Sequence, residues 1–341
     1  MEMEKELLRQ YGLNVSDIEQ VTDRLFVVTD GSRRYALKRS NKSLDDHVHW
    51  KALHEAAAYG QMRGVLPLYM ARNSAVTLYW NEETHYLMPW IDADPASIAS
   101  MFSTIGHIHA RTKQQIMLNR TAWLESFRTY QIKLDTFKQH LLYYVERFEN
   151  SHYMSPFELS YCTQFADIEF ALTILDQQVT KMLGLLEKQS CWSTSLIHGR
   201  MERDHFLQGS SPYFVNWENT ERANGTVDLL HFFRKEMMDC DCFSNRKTYM
   251  DAFHVYLAEN QLSALELIYL AIGLLDPIPY LKYTEAYFNR ELHQPMIFSV
   301  RELNARFRAL MFGLAWVHYQ TEQMAADTSN PAQVEREEQA D

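Results

Sequence analysis

The densest run of chemically competent side chains is His198-Gly199-Arg200-Met201-Glu202-Arg203-Asp204-His205, followed at short range by Asn216-Trp217-Glu218. Histidine and carboxylate groups can carry protons in a reaction. Arg200 cannot act as a base, because its guanidinium stays protonated, but it can grip a phosphate or carboxylate with two N–H groups. Asn216 offers a neutral amide oxygen, a weaker ligand for a hard cation than a carboxylate. Glu202, Asp204 and Glu218 are the acids at hand. Other clusters fit shared chemistry poorly. His107 and His109 are two apart on a helical stretch and face different ways, as do His47 and His49, which disfavours a common metal. Four cysteines, Cys162, Cys191, Cys240 and Cys242, are too scattered for a disulfide framework, and Cys240-Asp241-Cys242 lacks the two-residue spacer of a zinc or redox motif.

The elements that must position these groups follow from periodicity and turn signals. Val21 to Val28, then Asp30-Gly31-Ser32, then Arg34 to Lys38 predicts a β-hairpin. A helix is expected from about Asp45 to Met62, with Trp50, Leu53 and Ala57 near helical spacing. Val65 to Tyr69, Val76 to Trp80 and Tyr86 to Trp90 predict short strands, the last ending at Pro89. After Pro95 the pattern turns helical: Ser97 to Lys113 places Ile98, Met101, Phe102, Ile105 and Ile108 on one stripe, and Trp123 to Asn150 and Phe165 to Lys188 are long amphipathic candidates. Two strand-like pieces, Ser195 to His198 and Tyr213 to Trp217, interrupt this. Helix resumes from Val227 to about Gln323, broken at Pro277, Pro279 and Pro295. From Met324 the chain is polar and acidic, which predicts a disordered tail.

Composition narrows the function. The chain has 341 residues, with 33 Lys+Arg against 44 Asp+Glu for a net charge of −11, and 46% hydrophobic residues. At about 150 residues per domain, two lobes are expected. The acidic balance argues against a general nucleic-acid binder, which needs surplus cations for phosphate. Only 11 glycines are present, well under the usual share of about 7%, so a glycine-rich phosphate loop is disfavoured. The charged start and the lack of 18 uninterrupted apolar residues argue against a signal peptide or a membrane span.

A small strand-rich part before a large helical part, with a two-strand island inside the latter, resembles protein-kinase-like folds. The 198–207 loop, Tyr213 to Glu218 and Val227-Asp228-Leu229 together resemble the aminoglycoside phosphotransferase and choline kinase superfamily. Its loop reads His-Gly-Asp, four spacers and Asn, and its metal strand reads Ile-Asp-Trp/Phe-Glu/Asp. The resemblance implies an α+β, bilobal protein-kinase-like fold, with an N-terminal lobe at 1–91, a helical C-terminal lobe at 92–323 and an acidic tail at 324–341. It also implies that Lys38 meets the nucleotide phosphates, that Glu55 on the next helix holds Lys38 in place, that Leu87 to Ile91 is the hinge, and that Asp228 buttresses the loop.

This sequence departs from the superfamily at the positions that do the chemistry. Arg200 stands where the catalytic Asp should be, His205 where the metal-binding Asn should be, and Asn216 where the metal-binding Asp should be. Between the first two strands, Val21 to Phe26 has no glycine to bring backbone amides to a phosphate. The sequence is also similar to CotS-type spore coat proteins of endospore-forming bacilli, through Leu7 to Leu13, Tyr35 to Lys38, Leu87 to Ile91 and the altered His198-Gly199 loop. The replaced groups imply a catalytically inactive pseudokinase, and the coat-protein resemblance implies that it is synthesised in the mother-cell cytoplasm and laid down in the spore coat as a scaffold. Its partners would be other coat proteins, with no nucleic acid, no membrane, no metal and no cofactor. On this reading Lys38 and Glu55 are a vestigial nucleotide site. The alternative is an active or nucleotide-binding small-molecule phosphotransferase, in which ATP and magnesium are used and Glu202, Asp204 or Glu218 substitutes for the lost acid.

Overall fold

In a computed structural model, residues 2–40, 42–43, 47–94, 97–189, 191–239 and 246–328 are described. The expected helix start at Asp45, Pro95, Cys240, Cys242 and the 329–341 part of the expected tail lie outside these residues. The chain divides into two compact units, neither continuous in sequence. Unit 1 comprises Met1–Gln115, Ser193–Asp228 and Asp251–Gln261, and unit 2 comprises Ile116–Trp192, Leu229–Met250 and Leu262–Asp341.

Unit 1 begins with helix α1 (Glu2–Gln10) and a five-stranded antiparallel sheet of β1 (Asp17–Thr22), β2 (Leu25–Asp30), β3 (Arg33–Ser40), β4 (Thr77–Trp80) and β5 (Glu83–Pro89), in the order β1-β2-β3-β5-β4. The expected single strand from Val21 to Val28 is two strands, because the chain reverses at Asp23-Arg24 and Thr22 pairs with Leu25. Alternation along β3 sends Tyr35 and Leu37 to one face, where they pack with Leu7, Leu8, Val28 and Leu87. Ala36, Lys38 and Ser40 therefore share the other face. Val65 to Tyr69 makes only isolated bridges, Val65 to Phe214 and Tyr69 to Leu87. Pro67 within it lacks the N–H that a ladder requires.

Helix α2 (Val48–Ala58) is capped by His47, whose ring accepts the Trp50 N–H, and buries Trp50, Leu53 and Ala57. Helix α3 (Ile98–Thr112) is capped by Ser97 and buries Met101, Phe102, Ile105 and Ile108, the expected stripe without its first member, Ile98. Next come β6 (Gln114–Met117), β7 (Cys191–Ile197), β8 (Phe206–Gln208), β9 (Pro212–Phe214) and β10 (Glu221–Ala223). The β8–β9 hairpin pairs Phe206 with Phe214, and β10 pairs with Ser195, Leu196 and Ile197 of β7. Strand β6 was not expected from the sequence.

Unit 2 is built on α4 (Arg120–Glu149) and α5 (Pro156–Leu186), with α8 (Ala264–Leu274), α9 (Ile278–Phe288) and α10 (Met296–Thr328). Helices α6 (Thr226–Asp239) and α7 (Arg246–Glu259) each begin in one unit and end in the other. A capping box of Ser155 and Glu158, with Pro156 in the first turn, starts α5. Phe157, Tyr161, Ile168, Leu172, Leu175, Val179, Met182 and Leu186 then recur at three-, four- and seven-residue spacing on one face and are fully buried. Each such side chain contributes about 1.5–3 kcal/mol on burial. Ala264–Phe288 is long and apolar enough to cross a membrane by composition, but 56% of its apolar 18-residue window is buried, and Pro277 divides it into α8 and α9. Residues 324–328, expected in the tail, belong to α10, since Met324-Ala325-Ala326 are good helix formers.

Candidate functional site

The site lies wholly in unit 1. Lys38 projects from β3 on the face that also carries Ser40, and Tyr86 of β5 is its cross-strand partner. The Lys38 ammonium donates to Asn216 Oδ1 and stands 3.2 Å from Glu218 Oε1. Glu218 in turn accepts the hydroxyls of Ser40 and Tyr86, each at 2.9 Å. Burial lowers the Lys38 amine below the usual lysine range; Glu218 opposes this, while Arg24 and Arg200 add to it. The Tyr86 hydroxyl is raised, by burial first and by the Glu218 charge second.

The carboxylate that holds Lys38 is thus Glu218. The expected Lys38–Glu55 pair does not form: Glu55 is exposed on α2. Ser40 and Tyr86 were missed in the sequence, although Ser40 lies two residues from Lys38 and therefore on the same face.

Asn216 sits at φ 68°, ψ 40°, a left-handed conformation that Asn tolerates better than most residues. It starts a 3-10 turn, Trp217–Asn219, that buries Trp217, whose ring N–H donates to Phe214 O at 2.9 Å. The side chain at this strand end is a neutral amide already holding an ammonium.

The 198–205 loop hangs on Asp228. Its Oδ2 accepts the His198 N–H at 2.6 Å and its Oδ1 accepts the Gly199 N–H at 2.9 Å. The buried His109 Nε2 lies 3.1 Å from Oδ2, and the Tyr256 hydroxyl lies 2.9 Å from its Nδ1. Burial alone would raise the Asp228 carboxyl, but the hydrogen bond and charge of His109, with His198, hold it below the usual carboxylate range. His198 is fixed in one tautomer, Nε2 donating to Val215 O at 2.8 Å and Nδ1 accepting the Arg200 N–H at 3.3 Å. Burial pushes its ring down to about 4. Gly199 has φ +75°, and a Cβ there would fall 2.3 Å from Asn219 O, so only glycine fits.

The groups this loop presents are engaged with each other. The half-exposed Arg200 side chain donates to Glu202 Oε1 at 2.8 Å. His205 Nδ1 donates to the Arg200 carbonyl at 2.9 Å, and its ring lies against His198 at 5.4 Å. Burial lowers the His205 ring, with Lys38 and Arg200 adding to the effect. Asp204 and His205, with Lys38 and Asn216, line a cavity of about 390 Å3 whose other walls include Arg24, Ala36, Leu66, Met88, Leu207 and Val215. Arg24 occupies the β1–β2 turn, which has no glycine.

These residues do not fit magnesium. The positions that would supply it with oxygen are an amide bonded to Lys38 and a histidine, and among the described residues no group of three His, Cys, Asp or Glu could hold a metal. His107 and His109 diverge as expected: His109 meets Asp228, whereas His107 faces Glu259 at 3.9 Å. Trp50 and Trp217 are buried core residues, and Trp192 packs on Trp123 in unit 2 at 4.8 Å.

No protein-family model matches the chain, and no curated protein matches its sequence. Solved structures do resemble it. An aminoglycoside phosphotransferase from Alicyclobacillus acidocaldarius superposes with a TM-score of 0.68 at 14% identity, over 94% of this chain and 95% of the other. A spectinomycin phosphotransferase bound to AMP gives 0.53 at 12% identity, over 92% of this chain and 98% of the other. An amicoumacin kinase complex with AMP-PNP, Ca2+ and Ami gives 0.50 at 14% identity, over 91% and 93%. The expected α+β kinase-like fold is therefore present, with aminoglycoside-phosphotransferase-like kinases as its structural neighbours.

Proposed function

We propose that the chain is a catalytically silent kinase-fold protein that acts as a structural or assembly component of the bacterial spore coat. It would be made in the mother-cell cytoplasm, would bind other coat proteins, and would need neither nucleotide nor metal. The observation that carries the silent reading is the closed set of bonds at the site: the Lys38 ammonium is held by Asn216 and Glu218, and the position of the expected base is Arg200, paired to Glu202. A positioned base contributes roughly 10²–10⁴ in rate, and a guanidinium cannot supply it. The coat assignment rests on the sequence resemblance through Leu7 to Leu13, Tyr35 to Lys38 and Leu87 to Ile91.

One observation favours a second reading, a nucleotide-binding or slow phosphotransferase: the 390 Å3 cavity persists, and Asp204, an exposed acid, lines it. Thermal unfolding with ATP and magnesium separates the two. On the silent reading the melting temperature is unchanged at millimolar ligand. Binding at 100 times Kd would add about 2.7 kcal/mol and overturn the nucleotide-free part of the proposal. For the coat role, a fluorescent fusion in a sporulating host is expected to form a ring around the forespore; uniform mother-cell fluorescence would contradict it.

A further inference from the structure

A second cavity in unit 1 shares a wall with the kinase-like cleft. The wall is the 65–67 segment beside β9, joined where the Phe214 N–H donates to the Gly64 carbonyl at 2.7 Å. Its residues face alternate ways, as extended chains do. Leu66 and Val215 line the cleft of about 390 Å3, whereas Val65, Pro67 and Tyr213 line a pocket of about 620 Å3 on the other side, a size that suits a small molecule. Two local features build this pocket. Gly60 and Gly64, both at positive φ (68° and 85°), bracket a loop that brings Met62 and Arg63 to its wall. A Cβ on Gly64 would fall 2.3 Å from Thr104 Cγ2, so the loop sits directly on α3. On α3, Ser103, Gly106 and His107 share a face at three- and four-residue spacing. A Cβ on Gly106 would lie 3.0 Å from Glu259 Cβ, and the missing side chain admits Glu259, the last residue of α7. There Glu259 Oε1 accepts the Ser103 hydroxyl at 3.1 Å, and Oε2 lies 3.9 Å from His107 Nδ1.

The charges of this pocket are set out but not closed on each other. An ionised carboxylate offers about four acceptor sites, and the Ser103 hydroxyl takes one of those on Glu259. Arg63 lines the same pocket, is exposed, and pairs with no carboxylate among the described residues. A guanidinium and a carboxylate that face one cavity without meeting leave room for a ligand that brings the opposite charge to each. The remaining walls include Met62, Val65, Pro67 and Pro212, which are apolar. We propose that the pocket binds a small zwitterion, an amino acid or a peptide of two or three residues, with its carboxylate on Arg63, its ammonium on Glu259 and an apolar side chain against Met62 and Val65. A ligand lacking either charge would leave one of the two groups unmatched, which sets the specificity. None of Lys38, Arg200, His205 or Asn216 takes part, so the site stands whether or not the cleft is silent.

The test is calorimetric titration of the full chain with L-leucine, L-leucyl-L-leucine and L-leucyl-glycyl-L-leucine, which separate a free amino acid from a dipeptide or tripeptide. The N-acetylated and the C-amidated form of each is titrated beside it. At least one zwitterion should bind, and blocking either terminus should weaken it at least about tenfold, as loss of a hydrogen bond to a charged group does. Arg63→Ala, an exposed change, should abolish the preference for free carboxylate over amide while keeping the preference for free ammonium. Glu259→Gln, which retains an acceptor for Ser103, should do the reverse. Asp204→Asn, which alters the cleft instead, should change neither. No binding by any of the three zwitterions, equal binding of free and blocked forms, or indifference to both pocket substitutions would overturn the proposal. Loss of binding in Asp204→Asn would put the ligand in the cleft and overturn it as well.

Discussion

Two halves of one loop are bonded in different ways. His198 and Gly199 are fastened by their backbone N–H groups to a single buried carboxylate, Asp228, which His109 also holds. Arg200, two residues after His198, is half-exposed and paired to Glu202, while the His205 ring donates to the Arg200 carbonyl. The first half is therefore fixed by its backbone. The second half presents a guanidinium and an imidazole, held by side-chain and loop contacts rather than by a buried carboxylate. Backbone contacts to Asp228 set the framework of this loop, and the framework does not dictate which side chains its second half presents; on the proposed reading that is how the fold outlasts the chemistry.

The comparison can be broken at the framework first. Asp228→Ala removes the acceptor for two buried N–H groups and strands His109, and about 3–5 kcal/mol of stability should be lost in urea unfolding. A loss under about 1 kcal/mol would show that the loop is held elsewhere. Acid tests the same half. The neutral His198 ring, at about 4 when folded against about 6.5 unfolded, binds fewer protons than the unfolded chain between those values. Stability should therefore fall as pH drops from 6.5 to 4, by roughly 3 kcal/mol for His198. His54, buried and also pushed down to about 4, adds a similar amount. The variant His198→Gln should show a visibly shallower acid limb.

How much of this was legible in the sequence depends on how far apart the partners lie along the chain. The spacing from His198-Gly199 to Trp217-Glu218 and on to Asp228 was readable because turns and short strands leave local signatures. The partner of Lys38 was not. Glu55 is close in sequence and Glu218 is 180 residues away, and nothing in β3 announces which acid the sheet will meet. The same limit hid His109, whose burial against Asp228 joins two segments 119 residues apart. Val21 to Val28 misled for the opposite reason: a two-residue reversal at Asp23-Arg24 without glycine carries almost no turn signal.

Smaller effects sharpen the contrast. Gly199→Ala should cost about 2–3 kcal/mol, from strain at positive φ and the approach to Asn219 O, again by urea unfolding. Lys38→Met leaves the buried Glu218 with two hydroxyl donors and no cation; a loss of about 1–2 kcal/mol is expected, reduced in the double variant with Glu218→Gln. Arg200→Ala, at the presenting end, should change stability by no more than about 0.5 kcal/mol, as exposed pairs do. If Arg200→Ala proved as costly as Gly199→Ala, the two halves would not differ.

The most direct measurement is ATP consumption by the purified full chain with and without magnesium, beside the Asp204→Asn variant. The expected rates are indistinguishable from buffer in all cases, because Arg200 cannot act as a base, the Asn216 amide and the Lys38 ammonium are bonded to each other, and His205 Nδ1 is turned to the Arg200 carbonyl. Magnesium-dependent turnover that disappears in Asp204→Asn would contradict this and place an active phosphotransferase in this cleft.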